Sequence, residues 1–265
     1  MEHYNVFGLK VSNYTLPEID QLYEQAIHDN RNIILYGHSL GFIPSMKKYP
    51  DLYQIVNSFD VLVCDGTQFS WFCTVSGFKL KTVMSIPEVT NYTLEYANKN
   101  RLKVLLFGAK QEVNSKAIEN LSLKYPRIQF TEGINGYFKE TDEKNIVERI
   151  NLLSPDIVLI GISTPIKERF AFNHKNDLKS SIIIPCGGMI DVYAGLVKQS
   201  PYLVKKMGFA TAYRIMQEPR RLFRLHTWLV YETIFKILPI TIYYRLLKRQ
   251  KEFNLIDKYL RFKIK

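Results

Sequence analysis

Six short β-branched runs restrict the architecture of this chain more than any other feature: NIILY (32–36), DVLVC (60–64), KVLLFG (103–108), RIQF (127–130), DIVLIG (156–161) and SIIIPCGG (181–188). Most are apolar at consecutive positions, the pattern of strands covered on both faces, as in a parallel sheet. Between the later runs lie QEVNSKAIENLSLKY and DEKNIVERINLL, whose apolar residues recur at three and four and predict helices. Strand, helix and strand at this spacing predict an α/β chain with a mainly parallel sheet and helices on both faces. With 265 residues, 46% of them hydrophobic, the chain can bury a full core. There is no internal repeat, low-complexity tract or linker, and the one break in composition falls near Ser200-Pro201. An α/β core over 1–200 and a basic helical C-terminal appendage over 201–265 are expected.

Open sheets of this class bind ligands at the carboxyl ends of their strands. After VLVC the chain reads Asp65-Gly66. Taken alone, that pair is turn punctuation, because Asp bonds its own backbone and Gly accepts positive φ. At the end of a buried strand it also places a carboxylate on the ligand-binding edge. Four other strand ends carry glycine: Tyr36-Gly37-His38-Ser39, Phe107-Gly108-Ala109, Gly161-Ile162-Ser163-Thr164 and Cys186-Gly187-Gly188. Each is a turn when read singly; together on one edge they predict a place where backbone amides approach a phosphate or sugar.

Several chemistries lack their signatures. No G-x-G-x-x-G follows a strand and no G-x-x-x-x-G-K-[ST] is present, so neither a dinucleotide fold nor a nucleoside triphosphatase is indicated. No two of the ten aspartates stand two apart, and the five histidines have no ligand spacing. No cofactor and no metal are expected. Cys64, Cys73 and Cys186 form no C-x-x-C pair, which fits a reducing cytoplasm, and MEHYNVFGLKVSNY has no basic region ahead of an apolar core, so no secretory signal is expected.

Charge is distributed unevenly. Residues 201–265 hold fifteen Lys+Arg and four Asp+Glu, which accounts for the whole +11 of the chain. Such a segment seeks nucleic acid, an anionic membrane or a phosphorylated ligand. Here Trp228, Leu229, Val230, Ile234, Phe235, Ile237, Leu238, Ile240 and Ile242 run between the basic residues, which predicts an interfacial segment. Glu232, Lys236 and Pro239 interrupt the run, so a transmembrane span is not expected.

From about Asn32 to Leu225 the chain resembles the WecG/TagA/CpsF group of bacterial glycosyltransferases. The resemblance is carried by Asp65-Gly66 and Gly77; Gly136-Tyr137-Phe138; Pro155-Asp156 through Gly161 to Pro165-Ile166-Lys167-Glu168; Gly187-Gly188 with Asp191 and Gly195; Pro201; and Gly208 through Tyr213-Arg214 to Glu218-Pro219-Arg220-Arg221. It implies a Rossmann-like core and inverting, metal-independent transfer from a UDP-sugar to a polyprenyl-diphosphate-linked saccharide, at the inner face of the plasma membrane, in cell-surface polysaccharide synthesis. Asp65 matches the proposed general base. Arg214, Arg220, Arg221 and Arg224 are the candidates to neutralise the leaving diphosphate, since a guanidinium forks onto phosphate oxygens and stays charged; Arg220 is expected to matter less because it points away from the other three. In one helix over 211–225, their spacing of seven and three would put them on one face. The donor pocket is expected to include Gly108, Tyr137, Gly161, Lys167, Glu168, Gly187, Gly188 and Asp191.

The chain departs from the family pattern at Pro165-Ile166-Lys167-Glu168 (usually Pro-Lys-Gln-Glu), at Tyr36-Gly37-His38 (usually Thr-x-Asn-like) and at Glu88-Val89-Thr90 (usually Gly-x-Asp). These positions surround the expected sugar pocket and leave the sugar open; His38 is a candidate donor to it. Two other classes stand beside the enzyme: a silent scaffold of a polysaccharide assembly complex, and a basic nucleic-acid-binding module, which the interleaved aliphatic residues argue against. A homo-oligomer is compatible with all of these, and nucleic acid is not an expected partner.

Overall fold

The computed structural model describes residues 2–249 and 253–261, without the side chains of Arg221, Leu225, His226 and Leu246. In chain order, a hairpin of β1 (Glu2–Val6) and β2 (Leu9–Asn13) leads to α1 (Leu16–His28), β3 (Ile33–His38), α2 (Phe42–Lys48), α3 (Leu52–Asn57) and β4 (Val61–Cys64). Then come α4 (Thr67–Val75), α5 (Ile86–Asn100), β5 (Lys103–Gly108), α6 (Gln111–Lys124), β6 (Gln129–Phe130), α7 (Glu143–Leu153), β7 (Ile157–Gly161), α8 (Ile166–Asn173), β8 (Ile182–Pro185) and α9 (Met189–Tyr193). The C-terminal quarter is helical: α10 (Tyr202–Lys206), α11 (Ala210–Gln217), α12 (Pro219–Glu232), α13 (Leu238–Ile242) and α14 (Leu255–Arg261).

Strands β3 to β8 form one six-stranded sheet in the order β4-β3-β8-β7-β5-β6, and every pairing is parallel. The apolar runs follow from this arrangement. Along β3, Ile33 and Leu35 face one layer while Ile34 and Tyr36 face the other; β4, β5, β7 and β8 alternate in the same way. One layer holds α1, α5, α6 and α9, and the other α2, α3, α4, α7 and α8. With both faces covered, no strand position needs a polar residue, so strict alternation disappears from the sequence. The chain leaves β5 outward toward β6 and leaves β7 in the opposite direction toward β8. The neighbouring carboxyl ends of β5 and β7 therefore form a topological switch point, where sheets of this class open a crevice.

The hairpin was not foreseen. Phe7 (φ 54) and Gly8 (φ 99) make its two-residue turn, both at positive φ, as tight hairpin turns require. Its strand β2 lies along the edge of the sheet, and the Leu62 amide donates to Ser12 Oγ at 2.9 Å, so the hairpin covers an edge that would otherwise be open. The turn also receives the chain's other end: Phe7 O accepts from the Leu255 amide (2.7 Å), and the Phe7 and Phe253 rings stack at 4.4 Å.

Pro219 to Leu247 is one continuous helical rod in which π-helical stretches, Thr233–Ile237 and Tyr243–Leu247, flank α13. The first lies just before Pro239, where the missing amide and the ring would clash with a regular α-turn. This segment does not stand off from the core. Ile237, Ile240, Leu255, Ile256 and Tyr259 are buried in the same apolar cluster as β3 and β4. Beneath the rod, Glu232 is ion-paired with Lys236 and accepts from Tyr259 Oη at 2.6 Å, a buried polar tie between α12 and α14.

Candidate active site

Asp65 continues β4 by one residue: its amide donates to His38 O (2.9 Å), extending the ladder with β3. The chain then turns into α4 through Gly66, whose φ of 92° suits glycine and whose Cβ position faces open space. Asp65-Gly66 is thus a strand-to-helix junction rather than a hairpin turn. The half-buried carboxylate accepts one hydrogen bond from the described residues, from the Ile86 amide to Oδ1 at 3.0 Å, which satisfies an otherwise unpaired amide in the first turn of α5. Burial raises the Asp65 pKa above the usual carboxylate range; the Ile86 hydrogen bond pulls it back, Glu88 pushes it up, and Lys167 and Arg214 pull it down.

Beside Asp65 lies a buried polar knot. Glu168, fully buried in the first turn of α8, accepts on Oε1 from Tyr36 Oη (2.8 Å) and Thr164 Oγ1 (2.8 Å) and pairs there with Lys167. Lys167 Nζ also bonds Thr164 Oγ1 at 2.6 Å and stands 5.5 Å from the centre of the Tyr36 ring. Burial, reinforced by Glu168, holds the Tyr36 phenol well above its ordinary pKa and therefore neutral. Tyr36 was placed near the expected sugar pocket without a role, and Thr164 was given none. Their only signal was position, each at or next to a strand's carboxyl end.

The strand-end glycines divide into two groups. Gly108 and Gly136 are glycines because backbone packs on backbone, and Gly161 because the Ile190 side chain packs on it. A Cβ at Gly108 would strike Gly161 O, one at Gly136 would lie 2.6 Å from Gly108 Cα, and one at Gly161 would lie 2.5 Å from Ile190 Cδ1. Gly136 packs on Gly108, and the next residue, exposed Tyr137, has its amide bonded to Asn135 Oδ1 at 2.8 Å. Gly187 (φ 59), like Gly66, is open, with nothing among the described residues within 4 Å of its Cβ position. At Gly188 an added Cβ would fall on Arg214 Nη2 and lie 3.8 Å from Asp191 Oδ2. Arg214, Gly188 and Asp191 therefore share one corner.

The C-terminal segment reaches this corner by crossing the end of β4. Thr67 Oγ1 donates to Lys205 O (2.7 Å), Gln68 Nε2 donates to Gly208 O (3.2 Å), and the Trp71 ring lies under Gly208. Lys205 Nζ is 4.0 Å from Glu88 Oε1. From there α11 places Arg214 over Gly188, with its Nε buried and without a partner among the described residues. Its Nη2 stands at the Gly188 Cβ position, next to the Gly187 backbone, and a guanidinium so placed suits an anion.

Two expectations require correction. No single helix spans 211–225: α11 ends at Gln217, Glu218 is non-helical (φ −132°, ψ 59°), and α12 restarts at Pro219. The pyrrolidine ring disfavours helical geometry in the residue before it, so Arg214 is on a different helix from Arg221 and Arg224 and shares no face with them. Arg224 and Arg220 are exposed, and the side chain of Arg221 lies outside the described residues. His38 does not line the cleft. It is wholly buried between Phe42 and Phe69 (ring centres 5.5 and 5.7 Å away), neither ring nitrogen has a partner among the described residues, and desolvation lowers its pKa to about 3.

The site thus combines a carboxylate at a strand end, a cation knot behind it, and a guanidinium over open glycine backbone. Residues 4–250 match the model of the "Glycosyl transferase WecG/TagA/CpsF family". The chain is 31% identical over 190 residues to proteins named N-acetylglucosaminyldiphosphoundecaprenol N-acetyl-beta-D-mannosaminyltransferase from Staphylococcus aureus strains MW2, MRSA252 and NCTC 8325 / PS 47, a similarity covering 69% of this chain and 72% of each relative. The chain belongs to the WecG/TagA/CpsF family and is a glycosyltransferase.

Proposed function

We propose that the enzyme transfers a sugar from a UDP-sugar to a saccharide carried on a polyprenyl diphosphate, with inversion and without a metal ion, in the synthesis of a cell-surface polysaccharide. The observation that carries this reading is a carboxylate and a guanidinium on one edge of the sheet, Asp65 at the carboxyl end of β4 and Arg214 over Gly188 beyond the carboxyl end of β8. In a single displacement the acceptor hydroxyl gives its proton to Asp65. Its oxygen attacks the anomeric carbon from the face opposite the diphosphate, and the bond to the departing UDP breaks with its electron pair. A positioned base contributes about 10²–10⁴-fold to such a step. Arg214, with the Gly187 and Gly188 backbone, meets the charge that develops on the leaving diphosphate; Asp191 and Tyr137 border the same donor pocket.

The relatives' names specify an N-acetylglucosaminyl-diphosphoundecaprenol acceptor, which supports a lipid-linked acceptor here. So does the surface of the rod. Phe223, Val230, Tyr231, Ile234, Phe235, Ile242, Tyr243 and Leu247 are exposed along it, within the segment that carries the chain's whole positive balance. No helix among the described residues is long and apolar enough to cross a membrane. The proposed attachment is peripheral, on the inner face of the plasma membrane, through apolar side chains and attraction to anionic lipid.

The direct test is transfer from a panel of radiolabelled UDP-sugars to a polyprenyl-diphosphate N-acetylglucosamine analogue, with and without EDTA. At least one donor should give a glycosylated lipid at an EDTA-insensitive rate. Loss on chelation that Mg²⁺ or Mn²⁺ restores would overturn metal independence, and failure of every UDP-sugar would overturn the donor class.

A further inference from the structure

We infer that the outer face of α4 receives the first isoprene units of the acceptor's lipid tail: Trp71 and Val75, with the exposed apolar side chains around α10, lead the tail away from the Asp65 edge toward the rod. This inference rests on the reading of the acceptor as a polyprenyl-diphosphate-linked saccharide.

Helix α4, TQFSWFCTV, starts two residues after Asp65 and contains no charged residue. Phe69, Phe72 and Cys73 fill the core from one side of it. Gln68, Trp71 and Val75, spaced at three and four, share the other side, where Trp71 is 54% and Val75 is 87% exposed. A face that only met water would carry polar side chains instead. This one also has apolar neighbours. A Cβ at Gly208 would lie 3.5 Å from the Trp71 ring, and Gln68 Nε2 bonds Gly208 O. Met207 and Phe209 flank Gly208 in the chain, Leu203 is one turn before Met207, and all three are exposed. Large apolar side chains gathered in this way mark a binding face.

The two ends of the face specify its occupant. At the Asp65 end stand Lys205, whose carbonyl accepts from Thr67 Oγ1 at 2.7 Å, and exposed Lys206. At the far end Arg245 of the rod donates to Ser76 O at 3.4 Å, which joins α4 to the element whose outer stripe is apolar. A molecule with an anionic head and a long apolar tail matches that order, its diphosphate by the lysines and its tail along Trp71 and Val75. The nine residues of α4 span about 13 Å, room for a few isoprene units before the tail reaches the rod and the bilayer. A nucleic acid would require cations along the face itself, where α4 has none.

The test is calorimetric binding, to the full chain with UDP present and vesicles absent, of two diphosphate diesters that join N-acetylglucosamine to a methyl or a farnesyl group. Wild type should bind the farnesyl probe about tenfold more tightly than the methyl probe, the effect of burying a few methylene groups. The double variant Trp71→Gln, Val75→Gln should bring that ratio near one. If it does not fold, Val75→Gln alone, at a site open to water, should still lower the ratio about twofold or more. A ratio near one in wild type, or a wild-type ratio in the folded variants, overturns the inference and leaves the acceptor reading standing. Failure of wild type to bind either probe removes the acceptor reading itself. Loss of the ratio on replacing Ile234, Phe235 and Ile242 by Ser, with no change in the α4 variants, would put the tail on the rod instead. Dimerisation that Val75→Gln abolishes without altering the ratio would assign the face to a second copy of the chain.

Discussion

Asp65 and His38 lie next to each other at adjoining strand ends and have opposite fates. The Asp65 carboxylate keeps capacity to accept a proton, whereas the His38 imidazole is sealed between phenylalanines. The sequence could not separate them, because burial depends on which helix covers a strand end, and α2 and α4 supply Phe42 and Phe69 from outside the strand. The consequence for His38 is acid sensitivity. Its folded pKa of about 3 lies below the ordinary 6.5 of the unfolded chain, so the unfolded state binds the extra proton. Stability is full above about pH 7.5 and falls as pH drops through 6.5, by on the order of 2 kcal/mol at pH 5 from this group. His38→Leu should flatten the difference in thermal midpoint between pH 7.5 and pH 5 and leave turnover nearly unchanged. An unaltered difference, or a large loss of turnover, would return His38 to the sugar pocket.

Elements were legible where a periodic pattern ran unopposed. All six runs are strands of the sheet, and α6 and α7 occupy the two predicted helical stretches. The hairpin escaped because TyrAsnVal and LysValSer alternate only briefly, and their signal lies in the two-residue Phe7-Gly8 turn. The break at Glu218-Pro219 was readable, since proline restricts the residue before it, but helical spacing was carried across it. The glycines were legible as important and not as to why: Gly108 and Gly161 serve packing, while Gly188 accommodates a guanidinium. Gly188→Ala should therefore displace Arg214. Because a charge-assisted hydrogen bond is worth about 1.5–3 kcal/mol, UDP affinity should fall by roughly tenfold or more in a calorimetric titration. Equal affinity in a folded Ala variant would detach Arg214 from the diphosphate.

For the whole molecule, the charge imbalance lies in the last quarter, but composition could not reveal how that quarter is attached. Part of the run from Trp228 to Ile242 is core: Ile237 is fully buried, whereas Phe235, two residues earlier, is 63% exposed. Deleting everything after Lys206 would thus strip apolar cover from the sheet layer, and a truncated chain cannot test membrane binding cleanly. Replacing Ile234, Phe235 and Ile242 by Ser touches the outward stripe alone. It should leave the thermal midpoint within a few degrees of wild type and abolish sedimentation with phosphatidylglycerol vesicles; undiminished sedimentation would place the membrane contact elsewhere. The Asp65 carboxylate separates the proposed enzyme from a silent scaffold, which would need no base there. The most direct measurement is single-turnover transfer to a lipid-linked acceptor by Asp65→Asn, with UDP binding measured on the same preparation. The account predicts wild-type affinity for UDP with transfer slower by about 10²-fold or more; transfer at the wild-type rate would contradict it.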